Sequence, residues 1–224
     1  MAAWEFSEPA GTTLTNAAIL RGKPFADADA PFRWTGDIDG VEINGRDQLQ
    51  IRRPLSESKT ATLLPLHPSK PSDSQVALTV TIDNAKFVGQ TEDEQLRFAL
   101  MHDDQPSSVV ARMIFGRDGG RIVVRGEGSA DHQSIPASIL AERDAIKKPL
   151  VLRLVVDTGT DAYRIEMRPI DVPAFQTLGQ GKIAPDQSTR FLRVDVSGDF
   201  ASPNELVTID RLELSGNYTS RSQK

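Results

Sequence analysis

Arginines on strand-like segments are the residues of this sequence best suited to bind a ligand. In each segment apolar and polar residues alternate, and the arginine is on the side that does not face the predicted core. Their planar guanidinium groups can bind both oxygens of a carboxylate or sulfate at once. The set consists of Arg97, Arg112, Arg125, Arg153, Arg164 and Arg193. If the strands are neighbours, these side chains line one sheet face that suits an anionic polysaccharide. The alternative is a solvated face on which they pair with Glu166, Asp195 and neighbouring carboxylates.

A catalytic group is harder to find, and His102 is the best-placed candidate. It stands at the end of a strand-like segment before two aspartates, whereas His67 and His132 fall in loops. A polysaccharide lyase needs a base such as His or Tyr, beside an arginine or amide that neutralises the substrate carboxylate. Tyr163 has the parity of a core residue. Because a single histidine at a strand end is usually incidental, the sequence leaves open whether the protein is an enzyme.

Oxygen-rich turns are the candidates for a metal ion. Asp157 and Asp161 flank one turn, and a second turn-like stretch contains Asp37, Asp39, Asn44 and Asp47. Calcium takes such oxygen ligands, but aspartate and asparagine are also good turn formers. No histidine pair has zinc spacing, and no P-loop or dinucleotide glycine motif is present. We therefore predict no cofactor and no metal site, with a structural Ca²⁺ as the open alternative.

The bulk composition limits the kind of protein this can be. The chain has 224 residues, of which 38% are hydrophobic and 25% charged, and a β-sandwich of such length commonly forms one domain. We therefore predict a single domain over residues 1–224. The formal charge of −5 argues against nucleic acid as a partner, because nucleic-acid binding needs a dominant basic field. No run approaches the roughly 18 apolar residues of a membrane span, and no signal peptide is recognisable at the start.

Alternating apolar residues predict roughly a dozen strands. Ser107–Gly128 and Leu150–Arg168 have the pattern of hairpins, and glycines 119 and 120 close the first. In the first strand of that hairpin Val109, Ala111, Met113 and Phe115 share the predicted core face. The apolar parity changes within the last strand, which predicts a bulge at Asp210-Arg211.

Helix is expected in two places only. Ser134–Lys148 is the one good helical candidate, because its apolar residues follow helical spacing and Pro136 stands near its start. A short helical turn is also expected around Thr60–Leu64, within a proline-rich loop. The predicted fold is therefore all-β, an antiparallel two-sheet jelly-roll β-sandwich with at most one or two short helices.

Both ends of the chain carry a recognisable layout. Near the start it consists of Trp4-Glu5-Phe6, Gly11, Leu14, Asn16, Trp34, Gly45 and Leu49-Gln50-Ile51. The closing segment Val207–Leu214 is similar to the final strand with which many domains of one superfamily rejoin their first strand. The whole pattern resembles the concanavalin A-like lectin/glucanase superfamily. The resemblance implies a concave sheet that binds or cleaves polysaccharide, and a secreted bacterial protein with an extracellular or periplasmic location.

The resemblance also suggests where an enzyme of this fold would carry its carboxylates. Glucanases of the superfamily have Glu-x-Asp-x-x-Glu on one strand face, and retaining glycosidases need two carboxyl groups about 5 Å apart. The nearest match is Asp37–Glu42, but a glycine interrupts it and its surroundings are turn-like, which favours a hydrophilic loop. The lyase signatures Gln-Ile-His and Tyr-Phe-Lys-Ala-Gly are absent.

The leading hypothesis is a carbohydrate-binding domain that takes anionic polysaccharide on its arginine-bearing sheet face. Two alternatives stay open. One is a polysaccharide lyase or glycoside hydrolase on the same fold, and the other is a structural or assembly module that binds no glycan.

Overall fold

The computed structural model of the chain describes residues 2–6, 9–12, 33–35, 41–52, 59–64, 75–86, 95–103, 105, 107–130, 134–142, 145–189, 191–197 and 206–216. Every regular element within these ranges is a β-strand. In chain order the strands are β1 (Ala2–Trp4), β2 (Arg33–Thr35), β3 (Val41–Ile43), β4 (Leu49–Arg52), β5 (Lys59–Leu64), β6 (Gln75–Lys86), β7 (Gln95–Met101), β8 (Val109–Asp118), β9 (Arg121–Gly128), β10 (Ser134–Ala141), β11 (Ala145–Ile146), β12 (Leu150–Asp157), β13 (Ala162–Pro169), β14 (Gln176–Lys182), β15 (Phe191–Ser197) and β16 (Leu206–Gly216).

The strands form two antiparallel sheets. The nine-stranded sheet has the order β14-β13-β12-β6-β16-β4-β3, with β1 paired to β16 and β11 paired to β6. The seven-stranded sheet has the order β10-β9-β8-β7-β15-β5-β2. The pairing of β1 with β16 joins the two ends of the described chain, as the resemblance implied. The prediction of an all-β two-sheet sandwich is confirmed.

Alternation along the strands builds the core between the two sheets. Leu78 and Ile82 from the nine-stranded sheet and Leu96, Phe98 and Phe115 from the seven-stranded sheet are at most 1% exposed. They belong to one buried cluster to which both sheets contribute. Burying each such side chain is worth about 1.5–3 kcal/mol. Because side chains alternate in direction, the residues between them lie on the outer face of each sheet, the side turned away from this core.

Both predicted hairpins are present. β8 and β9 are joined through Gly119 and Gly120, whose φ angles are 54° and 82°, and positive φ at both positions suits a two-residue hairpin turn. β12 and β13 pair from Leu150 with Pro169 to Asp157 with Ala162. The side chain of Asp157 stabilises that turn, since its Oδ1 accepts the N–H groups of Gly159 and Thr160 at 3.0 and 3.2 Å.

Two bulges adjust which residues reach the core. In β16 the register shifts between Ile209 and Arg211, so Asp210 is the extra residue and the predicted bulge is confirmed. A second shift lies where Leu100 pairs with Ala111 but Met101 pairs with Val109. Val110 is consequently fully buried in the core cluster. The prediction that Val109 faces the core is wrong, because the bulge turns Val110 toward the core in its place.

The two helical predictions are wrong. Ser134–Ala141 is strand β10 and Ala145–Ile146 is strand β11. β10 pairs with β9 at the end of the seven-stranded sheet, with register shifts after Ile135 and after Ile139. Such irregular alternation imitates helical spacing, and Pro136 is tolerated because an edge strand has one unpaired side. Thr60–Leu64 likewise belongs to strand β5, which β15 and β2 pair on both sides.

Candidate functional site

The six arginines that the sequence analysis selected are divided between the two sheets. Arg97, Arg112, Arg125 and Arg193 lie on β7, β8, β9 and β15 of the seven-stranded sheet, whereas Arg153 and Arg164 lie on β12 and β13 of the nine-stranded sheet. The expectation of one common face therefore holds for four of the six. We call the outer face that these four share the arginine face.

Strand register places the arginine face in two rows that run across the sheet. In the first row Arg97 lies between Asp195 and Ile114, and Ile114 lies opposite Arg125. In the second row Ala99 lies between Arg193 and Arg112, and Arg112 lies opposite Glu127. Since neighbouring strands are about 4.8 Å apart, guanidinium groups on adjacent and next-adjacent strands can reach one ligand.

Two small or apolar residues of this face are buried although they point away from the core. Ile114 is 5% exposed and Ala99 is 1% exposed. Both lie directly beside arginines in the rows, and arginine stems cover apolar surface while their charged ends stay in water. The arginine face is therefore a packed surface in which the guanidinium groups are held close to the sheet.

Carboxylates compensate part of the positive charge. The Nε of Arg112 donates to Oε2 of Glu127 at 2.6 Å, and the Nε of Arg193 donates to Oδ1 of Asp195 at 2.7 Å. Arg125 is 3.8 Å from Asp118 at the hairpin turn, which is too long for a hydrogen bond. This pairing agrees with the alternative interpretation of the sequence. On the outer side of these four strands, the four arginines and Arg121 nevertheless outnumber the three carboxylates, which belong to Asp118, Glu127 and Asp195.

The environment of Arg97 reflects the excess of arginine over carboxylate on this face. Its partial burial lowers the pKa of Arg97, and the nearby Arg112 guanidinium lowers it further, while Asp195 and Glu127 act in the opposite direction. Arginine remains charged at neutral pH in spite of such a shift. A guanidinium that is partly desolvated beside other guanidinium groups is a favourable place for an anion.

A groove of about 600 Å³ borders the second row. It lies where the loop after β7 approaches the ends of β8 and β9. Its lining offers an imidazole, a guanidinium, a carboxylate, hydroxyls and an amide, from His102, Arg112, Glu127, Ser108, Ser129 and Gln187. We call it the His102 groove. The structure therefore brings the best-placed histidine of the sequence together with one of the selected arginines.

Ser188 determines how His102 can act. The Nδ1 of His102 is 3.0 Å from Oγ of Ser188 and accepts the Ser188 N–H at 3.3 Å. A backbone N–H can only donate, so the neutral ring carries its proton on Nε2. Ser188 is fully buried, which keeps this contact out of competition with water. In this form His102 is a hydrogen-bond donor at Nε2.

The loop beside His102 is held by Asp103. Its Oδ1 accepts the N–H of Gln105 at 2.8 Å. The side-chain hydrogen bond with Ser108 and then the bond from Gln105 hold the pKa of Asp103 below its ordinary value. The N–H of His102 also donates to the Ser108 carbonyl at 2.9 Å. The groove wall is therefore fixed by local polar contacts.

Tyr163 closes the sandwich behind the groove. It is 3% exposed, as its core parity predicted. Its ring packs against Gly128 of β9 and Gly181 of β14, and a Cβ at Gly181 would lie only 2.5 Å from the ring. The glycines thus let β9 and β14, which belong to different sheets, approach each other. Next to them, Ser129 Oγ accepts the N–H of Ala184 at 2.8 Å.

Arg153 and Arg164 form a different site on the nine-stranded sheet. Both donate through Nε to Glu166, at 2.5 and 2.7 Å, and Glu166 is 6% exposed. Burial by itself would raise the pKa of Glu166, but the hydrogen bonds from the two arginines outweigh it and hold the pKa below the ordinary value. These guanidinium groups are therefore used to compensate a buried carboxylate.

Some groups were missed by reasoning from the sequence. Glu127 shares the outer parity of Arg125 and pairs with Arg112 across the predicted hairpin, so that signal was available. Ser188 and Gln187 lie in a loop far from His102 in sequence, and no local pattern marks them.

Metal ligands do not converge in the part of the chain that the structure describes. No group of three or more His, Asp or Glu side chains there could hold a metal ion. Asp157 serves its own turn, and Oδ1 of Asn44 accepts the N–H groups of Arg46 and Gln48 at 2.8 and 3.2 Å. These oxygen atoms fit turn formation better than Ca²⁺ coordination. Asp37 and Asp39, and with them most of the carboxylate run 37–42, lie outside the described residues.

A search of the described segments for a helix with the length and hydrophobicity of a membrane span finds none.

Comparisons with known proteins bear on the fold. No protein-family model and no curated protein matches the chain. Among solved structures, lectin II from Ulex europaeus has a TM-score of 0.54 at 11% identity, over 83% of this chain and 92% of the lectin. The Ca²⁺-bound exoplasmic/lumenal domain of VIP36 has a TM-score of 0.55 at 8% identity, over 90% of each chain. A Bauhinia forficata lectin in complex with GalNAc has a TM-score of 0.55 at 10% identity, over 88% of this chain and 97% of the lectin. The chain thus has the concanavalin A-like lectin fold.

Proposed function

We propose that this protein is a carbohydrate-binding domain that takes anionic polysaccharide on the arginine face. The observation that carries the proposal is the excess of arginine over carboxylate on four adjacent strands, in a chain whose formal charge is −5. The lectin from Bauhinia forficata, which shares the fold, is in complex with GalNAc. That likeness supports carbohydrate as the ligand class.

The two rows explain how a polymer would bind. A uronate or sulfated chain lying across β7, β8 and β9 presents anions at intervals, and guanidinium groups on successive strands meet them. Arg97 is the anchor, because its partial desolvation strengthens its interaction with an anion. In the His102 groove the Nε2 of His102, the serine hydroxyls and Gln187 bind sugar hydroxyls or ring oxygens.

An extracellular or periplasmic location follows from this function. A domain that binds uronate or sulfated polysaccharide meets its ligand outside the cytoplasm. One structural neighbour is described as an exoplasmic/lumenal domain, which agrees with that location.

The test is direct binding to soluble uronate, sulfated and neutral polysaccharides at low and high salt. We expect the anionic polymers to bind and the affinity to fall as salt rises, because exposed charges are screened. The double variant Arg97→Gln/Arg193→Gln should lose this binding. Arg121→Gln is the matched control, because Arg121 lies at the far end of β9 and pairs with Glu142 at 3.2 Å. A folded protein that binds no anionic polysaccharide refutes the proposal and leaves a structural module.

A second candidate is a polysaccharide lyase, and one observation favours it. His102, Arg112 and Glu127 line a single groove, which is the combination of ring, cation and carboxylate that such an enzyme uses. A lyase base has to accept a proton, whereas the contact with Ser188 makes Nε2 of His102 a donor. Unsaturated product, detected by its ultraviolet absorbance and lost in His102→Gln, would establish the lyase in place of the binding domain.

A further inference from the structure

The outer face of the nine-stranded sheet carries a surface that the proposed function does not use. We propose that a groove along this face is a second binding site, and that it takes a neutral linear polysaccharide. The choice of a carbohydrate ligand rests on the proposed function. The shape and chemistry of the groove stand on their own.

Three hollows follow one another along β6 and β16. Their volumes are about 240, 400 and 460 Å³. In order, β6 contributes Gln75 and Ala77, then Thr79 and Thr81, then Asp83 and Asn84. Arg153 and Ser215 line both the first and the second hollow, and the third begins one side-chain step farther along each strand. We call the series the long groove.

The length of the long groove suits an extended polymer. It follows β6 from residue 75 to residue 84, which an extended strand covers in about 30 Å. A compact small molecule would fill one hollow, whereas a linear chain can contact all three.

The groove floor is polar and deeply set. Thr81 and Thr208 are 9% and 5% exposed, and Gln48 and Gln50 at one end are 8% and 7% exposed. All face away from the core between the sheets. At the same end Nε2 of Gln48 donates to Oδ1 of Asp210 at 3.2 Å. Hydroxyl and amide groups both donate and accept hydrogen bonds, as sugar hydroxyls do.

An extended peptide is a poorer occupant. Peptides that bind to sheets usually add a strand to an exposed edge. Here the floor strands are paired on both sides, β6 by β12 and β16, and β16 by β6 and β4. The floor therefore offers no strand edge, and recognition has to come from side chains.

One wall is built before any ligand arrives. The centroid of the Phe175 ring lies 3.7 Å from the guanidinium carbon of Arg153 and 5.1 Å from that of Arg168. Nη1 of Arg168 donates to the carbonyls of Ile170 and Val172 at 3.1 and 3.0 Å. These cation–π and hydrogen-bond contacts hold the β13–β14 connection beside the floor. A wall that is ordered in advance lowers the entropy cost of binding.

The charges of the groove point to a neutral ligand. Arg153 is paired with Glu166, and Nη2 of Arg211 is 2.7 Å from Oε2 of Glu213. The lining also contains Arg46, Arg164 and Arg168 as well as Asp83 and Asp210, so with Glu166 five arginines meet four carboxylates. The charge of the groove is therefore nearly balanced, which gives an anionic polymer little net attraction.

The experiment measures binding of soluble linear glucan, mannan, galactan and xylan to the full chain by calorimetry, at low and high salt. We expect at least one of them to bind with an affinity that salt leaves unchanged. Thr79→Trp and Ser215→Trp place bulk on the floor from two different strands, and each should weaken this binding by about tenfold or more. Thr177→Trp is the control, because Thr177 lies opposite Glu166 in the same sheet but is exposed at its edge, outside the groove lining.

The double variant of the arginine face separates this inference from the proposed function. Arg97→Gln/Arg193→Gln should abolish binding of anionic polymer and leave binding of neutral polymer intact. If no neutral polysaccharide binds while anionic polysaccharide does, the long groove is refuted and the proposed function stands. If neutral polymer binds but both tryptophan variants, shown to be folded by circular dichroism, retain full affinity, the site lies elsewhere and the inference is also refuted.

Discussion

Arg112 and Glu127 lie directly opposite each other on β8 and β9, and Nε of Arg112 donates to Oε2 of Glu127 at 2.6 Å. Their side chains are 31% and 26% exposed, so the pair is open to the His102 groove. Glu127 therefore competes with an incoming anion for the Arg112 guanidinium. The strength of this pair therefore decides whether the Arg112 guanidinium is neutralised by Glu127 or is available to an anionic ligand.

Replacing Glu127 should strengthen the proposed anion binding. Glu127→Gln removes a negative charge from the arginine face and keeps the shape of the side chain. Because half-exposed pairs contribute about 0.2–1 kcal/mol, we expect a gain in affinity of about two- to fivefold for uronate polymer at low salt, measured by titration. The control is Glu142→Gln, which removes a carboxylate that is 3.2 Å from Arg121 at the sheet edge. It should leave the affinity for uronate polymer unchanged. Weaker binding by Glu127→Gln would show that Glu127 contacts the sugar.

The tautomer of His102 is open to direct measurement. The N–H of Ser188 donates to Nδ1, so we expect ¹⁵N spectra of the neutral ring to show its proton on Nε2. His102→Gln should weaken glycan binding by about two- to fivefold, the loss of one hydrogen bond, and leave the fold intact. A ring protonated mainly on Nδ1 would contradict the assignment and would favour the lyase.

Glu166 should make stability depend on pH. Its pKa is lower in the folded protein than in the unfolded chain, so its contribution is complete above the unfolded value and is lost as pH falls through the folded value. Glu166→Gln leaves two arginines without their carboxylate, and we expect it to cost about 1–3 kcal/mol at neutral pH. The difference from the natural protein should shrink in acid, as denaturant unfolding would measure.

The matched control is Glu213→Gln. Glu213 pairs with Arg211 on the same sheet, and their side chains are 26% and 41% exposed. Since exposed pairs are worth less, the control should cost under about 1 kcal/mol. Equal losses of stability from the two variants would contradict the role assigned to Glu166. So would a loss of stability for Glu166→Gln that grows in acid.

Gly128 should not tolerate a side chain. A Cβ there would collide with the Lys182 carbonyl oxygen and lie 2.5 Å from the Tyr163 ring. Overpacking of this kind costs about 1–3 kcal/mol, so Gly128→Ala should lower the melting temperature by several degrees. Gly45→Ala is the control, because a Cβ at Gly45 has no neighbour within 4 Å. Similar melting temperatures for the two variants would show that β9 and β14 do not approach as closely as described.

The sequence determined the side of each strand on which most residues lie. Strict alternation identified the core residues of β6, β7 and β12, and the glycine turn identified the β8–β9 hairpin. The change of parity in β16 was enough to predict the bulge at Asp210. These features depend on the backbone period of two and on local turn chemistry, which neighbouring residues encode.

Tertiary structure decided which strands lie side by side. Alternation gives every outward arginine the same signal, so it could not reveal that Arg153 and Arg164 belong to the other sheet. Nor could it show that β10 is a strand, because bulges against β9 disturb the period from which strands are recognised. The contact of His102 with Ser188 spans 86 residues. Strand order and long-range contacts arise from packing two whole sheets around one core, and no local window of sequence contains that information.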